Sequence, residues 1–234
     1  MCSRTPARRI SSCARSAVAE EHSSGAVRNL DVRRFLLLVI PLLAAPRLAH
    51  ADREPIFPVS ISVTSDEQGA VVDRAWIDAE MAAAERIYAP LGFHVRIHDV
   101  HSIGTELARI EDPRMRDKFV PLVTAHELNV FIVRSLRDNE QVGVYRGGVT
   151  WDSHTTPSKR YVILASTAFG STLAHEMGHF FGLQPHSTVH NNLMSYDRED
   201  ALVFLDASQQ SIVKNTTRYL RTSGSLNVLD WIDH

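Results

Sequence analysis

His175 and His179 stand four residues apart, with Glu176 between them and Gly182, His186 and His190 following. On a helix, side chains at i and i+4 share a face with Cβ atoms roughly 5–6 Å apart, so both imidazoles can offer a nitrogen to one ion. That pattern suits zinc. Glu176 lies one step round the helix and is not expected to ligate. It can reach a water at an open position of the metal and take its proton. Helix-spaced histidines also occur as ordinary buried residues with hydrogen-bond partners. The glutamate, the glycine exit and a further histidine, in this order, select the metal site.

Gly182 falls where a helix needs a left-handed exit residue, which turns the chain back so that a third histidine can approach the metal from below. From His175 to Tyr196 the sequence resembles the metzincin zinc peptidases, whose pattern is HExxHxxGxxH followed by a methionine-containing turn. The family's third ligand falls three residues after the glycine, but here that position is Pro185 and the histidine comes next. His186 is the expected third ligand, with His190 as the alternative. Pro185 has a fixed φ and biases Gln184 toward extended backbone, which suits delivery of His186 one residue late.

The resemblance makes Asn192–Tyr196 the Met-turn, with Met194 as the apolar floor under the metal. It implies that Tyr196 ligates zinc at rest or hydrogen-bonds the oxyanion. Phe204 and Gln209 look most like the pappalysin and cytophagalysin branch, although the cysteines usual there are missing. The activity implied is that of a secreted zinc-dependent endopeptidase, with Zn2+ as cofactor and Glu176 as general base. The alternatives are a secreted zinc-binding protein with decayed activity and a metal-dependent amidase acting on a non-protein substrate.

Length and composition are those of one ordinary globular domain: 234 residues, 44% hydrophobic, enough to bury a core. Arg33-Arg34 precedes an apolar run at 35–45 that is short and broken by Pro41, and small residues follow at Ala49 and Ala51. This reads as a signal peptide cut before Asp52, placing the protein outside the cytoplasm, secreted or periplasmic, with no stable membrane anchor. Both cysteines, Cys2 and Cys13, lie upstream of the cut. The remaining residues carry 17 Lys and Arg against 24 Asp and Glu, a net charge of −7 that gives no reason to expect nucleic acid as a partner.

The elements that must position the site follow from patterning. Residues 59–64 alternate apolar and polar as a half-buried strand does. After the N-cap Asp73, Ile77, Met81, Ala84 and Tyr88 recur at helical spacing. Phe93, Val95 and Ile97 form one face of a strand whose other face, His94, Arg96 and His98, reads as solvated and without chemistry. Residues 105–119 lean helical around Pro113. Leu128–Val133 reads as a buried strand, preceded by His126-Glu127, where Val130 stands in place of a second ligand.

Residues 142–151 carry three glycines in a strand-like pattern, as an edge strand does. Tyr161–Ala165 is the last strand, and Ser171 or Thr172 can cap the metal helix. Asp206 and Gln209 form a capping box for a last helix bearing Ile212, Thr216, Tyr219 and Leu220. The fold class is α/β (α+β). The resemblance implies a mixed twisted sheet with an antiparallel edge strand, an N-terminal subdomain at 52–182 and a C-terminal subdomain at 183–234. By the same resemblance, residues 147–151 pair with a protein or peptide substrate in extended form.

Overall fold

The computed structural model describes residues 53–139, 141 and 143–229. The apolar stretch at 35–45, the cleavage before Asp52 and both cysteines lie outside the described residues. In chain order the elements are β1 (Ile56–Asp66), β2 (Gly69–Ala70), α1 (Arg74–Tyr88), β3 (His94–Ile103), β4 (Arg109–Ile110) and α2 (Pro113–Arg116). There follow β5 (Leu128–Val133), β6 (Ser135–Leu136), β7 (Gly148–Asp152), β8 (Arg160–Ala165), α3 (Thr172–Phe180) and α4 (Ala207–Thr222). No helix among the described residues is long and apolar enough to cross a membrane.

The fold is mixed α/β. The main sheet runs β2-β1-β5-β8-β7, with β3 on the other side of β1. β1 pairs in parallel with β3 and β5, and β5 with β8, whereas β7 runs antiparallel to β8 at the sheet edge. β1 is longer than its alternation suggested and is buried on both faces. Its polar residues are small enough to be covered and find partners: Thr64 Oγ1 donates to Ile132 O at 2.9 Å, and Ser60 Oγ meets Thr124 Oγ1 at 3.2 Å. Alternation therefore marks two buried faces of different polarity here, not one wet face.

Two apolar clusters cover the sheet. One joins Val59, Ile61, Val63, Val130 and Ile132 to α1, α3 and α4 through Ile77, Met81, Ala84, Leu173, Met177 and Val213. Within it Tyr88, Phe93 and Phe181 stack edge and face, with ring centroids 5.4–5.6 Å apart. The Tyr88 hydroxyl donates to Ala174 O at 2.7 Å, which ties α1 to α3. The other cluster sets Phe131, Tyr161 and Ile163 against Leu107, Ile110 and Phe119.

The segment expected to lean helical supplies that second cover in a different form. Residues 105–122 make two 3-10 turns and the four-residue α2, with Pro113 at its first turn, where a missing N–H is harmless, and Pro121 in the turn beyond. α4 also differs from its periodic reading. Val213 and Thr217 face the core, while Ile212 and Tyr219 are exposed.

On the basic face of β3, Arg96 and His98 are exposed as expected and His94 is partly buried. His94 lies between Glu85 at 2.5 Å and Glu54 at 3.1 Å, and His98 pairs with Glu127 at 2.8 Å. His126 adopts φ 63° and its Nδ1 meets Gly224 O at 2.6 Å, a tether for the chain beyond α4.

Candidate metal centre

α3 follows β8 directly, and its first turn is held from outside. Ser171 is its N-cap residue but makes no side-chain bond to the helix. Instead its N–H and hydroxyl both donate to Asp200 Oδ1, at 2.9 and 2.8 Å, and Leu173 N–H donates to Glu80 Oε2 at 2.9 Å. Two carboxyl groups thus meet the positive end of the helix dipole. Gly170 has φ +63°, and a Cβ there would lie 1.6 Å from Asp200 Oδ2, so both backbone and space require glycine.

Along α3, His175 and His179 share a face with ring centroids 4.9 Å apart. After Phe181, Gly182 takes φ +94° and reverses the chain as its position implied. The Gln184–Pro185 peptide is cis. His186 returns beneath the helix, and one ring nitrogen from each of His175, His179 and His186 lies within 4.8 Å of the others. His179 Nε2 and His186 Nε2 are 3.1 Å apart. His190 is elsewhere, half-exposed, with Nδ1 3.2 Å from Asp197 and Nε2 3.8 Å from Glu199.

The three imidazoles suit a zinc ion. Tetrahedral Zn–N bonds of about 2.0–2.1 Å separate ligand nitrogens by about 3.3–3.4 Å, close to the observed 3.1 Å. Carbonyls fix two tautomers: His175 Nδ1–H donates to Leu193 O at 2.7 Å and His179 Nδ1–H to Leu183 O at 2.8 Å, leaving each Nε2 with its lone pair. Burial pushes His175 down to about 3 and also lowers His179 and His186, so the rings are neutral at physiological pH, as ligands must be. Three nitrogen ligands beside an open cleft match a catalytic zinc more closely than a closed structural one.

The turn at residues 192–196, expected to be the Met-turn, packs against α3 and its rings. Met194 is fully buried. A Cβ on Gly178 would come 2.7 Å from Met194 Sδ, so the helix glycine is what admits the methionine. Leu193 supplies the carbonyl that orients His175. Asn192 and Gln209 exchange amide hydrogen bonds of 2.7 and 3.0 Å, so the capping box that starts α4 also braces the turn. Tyr196 is 71% exposed, and its ring centroid lies 4.5 Å from that of His186 and 6.0 Å from that of His175.

Glu176 is buried against β7. Thr150 Oγ1 lies 2.6 Å from Glu176 O and 3.1 Å from Oε2, and Gly148 leaves the room that its side chain occupies. Burial raises its carboxyl to about 7, against the lowering effect of the Thr150 bonds and the charges of Arg146 and Arg198. Glu176, the three histidines, Thr150, Tyr196 and both arginines line one cleft of about 630 Å³.

A scan against protein-family models finds no match for this chain, and neither does a search of curated proteins. Two proteins stand among the solved structures similar to this chain. One is metalloproteinase-II from Bacteroides fragilis, with 13% identity, TM-score 0.49, and 72% of this chain and 55% of that chain covered. The other is archaemetzincin from Methanopyrus kandleri, with 11% identity, TM-score 0.48, and 72% of this chain and 99% of that chain covered. The chain thus spans about half the length of the Bacteroides protein.

The structure brings His175, Glu176, His179, His186, Met194 and Tyr196 together and sets His190 apart. Sequence reasoning missed Glu80, Thr150, Arg198 and Asp200. Glu80 had a signal, since it is a carboxyl at the spacing of the buried stripe Ile77, Met81 and Ala84. Arg198 and Asp200 had none, because their partners at Ser171 are 27 and 29 residues away.

Proposed function

We propose that this chain is a zinc-dependent peptidase. The observation that carries the reading is the convergence of three neutral imidazoles, two held by carbonyls through Nδ1, in the same cleft as a buried carboxyl that has no place in the ligand set. A zinc ion bound there supplies Lewis acidity, which acidifies a water and polarises a peptide carbonyl.

Glu176 takes the proton from the attacking water and returns it to the leaving amine. Thr150 and the space at Gly148 fix the carboxyl. Tyr196, beside His186 and open to solvent, is the hydroxyl available to a developing oxyanion. The antiparallel edge strand β7 supports binding of the substrate as an extended peptide, added as a further strand. This reading takes the protein to act outside the cytoplasm after removal of its leader.

Purified protein should hold one zinc per chain and cleave casein or a peptide library. A chelator should abolish cleavage, and zinc should restore it. Glu176→Gln keeps the side chain's size without its basicity, so it should retain zinc while cleavage falls at least about 100-fold. Wild-type turnover by that variant would remove Glu176 as the base. Stoichiometric zinc with no cleavage of any peptide would favour a metal-binding protein without peptidase activity.

A further inference from the structure

The cleft contains a guanidinium that the catalytic roles do not use. Arg198 is half-buried and lines the cleft two residues beyond Tyr196. Its Nε donates to Ser171 Oγ at 2.9 Å and its Nη1 to Ser195 O, which fixes the plane of the group between the start of α3 and the end of the Met-turn. No hydrogen bond to a described residue uses Nη2. It is also not one of the buried unpaired atoms, which among the described residues are Arg116 Nε and Glu127 Oε2, so solvent reaches it. Its charge is felt at His175, Glu176 and His186. The group therefore stands beside the reacting centre, held on one edge and open on the other.

We propose that Arg198 determines specificity by binding a carboxylate of the substrate near the scissile bond, which makes peptides with a negative charge there the favoured class. The inference rests on the peptidase reading. A guanidinium already braced by two acceptors loses little freedom when it takes a third, and a carboxylate makes the strongest use of its remaining N–H groups. Asp200 also lines the cleft and its charge acts on Arg198, but it forms no ion pair with it, and its Oδ1 accepts the Ser171 N–H and hydroxyl instead. Across the cleft, Arg146 is drawn toward Asp138 at 2.6 Å. The same arrangement disfavours Lys or Arg at that substrate position through like charge.

The carboxylate can come from an Asp or Glu side chain or from the substrate's own C-terminus. Profiling the wild-type holoenzyme on a peptide library separates them. A side-chain source gives Asp or Glu preference at one subsite, unaffected by C-terminal amidation, whereas a terminal source makes amidation alone abolish cleavage of short peptides. Either way, the charged peptide should exceed its Asn, Gln or amide counterpart by about 10- to 100-fold in kcat/KM. In Arg198→Gln that ratio should collapse toward one.

Because Arg198 also braces the site, binding is measured in parallel by fluorescence anisotropy. The probes are the best charged peptide and its neutral counterpart, on Glu176→Gln protein with and without Arg198→Gln. The charged peptide should bind at least about 10-fold tighter only where Arg198 is present. A wild-type profile indifferent to charge, or a ratio unchanged in Arg198→Gln, overturns the proposal. An absence of cleavage with the charge preference intact in binding would instead count against the peptidase reading.

Discussion

The Thr150 hydroxyl bridges two parts of one residue, lying 2.6 Å from the Glu176 carbonyl oxygen and 3.1 Å from its carboxyl Oε2. It comes from the edge strand β7, so the strand expected to receive substrate also holds the base. A hydroxyl has one proton and two lone pairs, so with Glu176 protonated it can donate to the carbonyl and accept from the carboxylic acid, whereas with Glu176 ionised its one proton is shared between two acceptors.

Thr150→Val keeps the shape and removes this partner. A hydrogen bond to a charged group is worth about 1.5–3 kcal/mol, so kcat should fall about 10- to 100-fold with KM little changed. Zinc content should be unaffected, and Thr150→Ser should restore most of the rate. Full activity in the valine variant would mean that Glu176 is positioned by packing alone.

Gly148 tests the same pocket from the steric side. A Cβ there would stand 2.8 Å from Glu176 Cγ, 2.9 Å from Leu164 Cδ2 and 3.1 Å from Glu176 Oε1. Gly148→Ala should displace the carboxyl, with cleavage reduced at least about 10-fold and stability lowered by about 1–3 kcal/mol, the usual penalty of overpacking. A crystal structure of the variant with Glu176 unmoved would contradict this.

The metal helix was legible because its ligands are local. His175, Glu176, His179, Gly182 and His186 fall within twelve residues, and helical periodicity places the first three without tertiary information. β1, β3, β5, β7, β8 and α1 were legible from alternation, apolar runs, glycine placement and capping, whereas the two-residue strands β2, β4 and β6 carried no pattern of their own. What escaped was whatever depends on distant partners. Arg198 and Asp200 find Ser171 across the fold, and Thr150 meets Glu176 only once β7 lies beside α3. The exposure of Ile212 and Tyr219 was hidden for a related reason: two helical stripes of similar hydrophobicity ran along α4, and only packing chose between them.

Glu80 gives a pH dependence of stability. Burial raises its carboxyl from 4.5 to about 7, although the Leu173 N–H bond acts the other way. Between those values the folded chain holds a proton that the unfolded chain has released. The group's contribution to stability is thus greatest at low pH and declines as pH rises through about 7, by about 3 kcal/mol in all. Glu80→Gln imitates the protonated acid and keeps an oxygen for Leu173. In urea titrations with chelator present, the variant should match wild type near pH 5 and be more stable at pH 8. Parallel pH profiles for the two proteins would show that Glu80 is ionised without penalty.

The third ligand separates two histidines that the sequence left in competition. His186 Nε2 stands 3.1 Å from His179 Nε2 within the three-ring group, while His190 is taken up by Asp197 and Glu199 at the surface. Removing His186 leaves two nitrogens, and among the described residues no other His, Cys, Asp or Glu belongs to the group whose ligand atoms converge there. His186→Ala should therefore lose zinc on dialysis against a weak chelator at neutral pH, with cleavage lost in proportion. His190→Ala should keep one zinc per chain and most of the activity, since it removes only exposed pairs worth about 0–1 kcal/mol. Zinc counted by mass spectrometry on both dialysed proteins decides the point, and retention by His186→Ala with loss from His190→Ala would reverse the assignment.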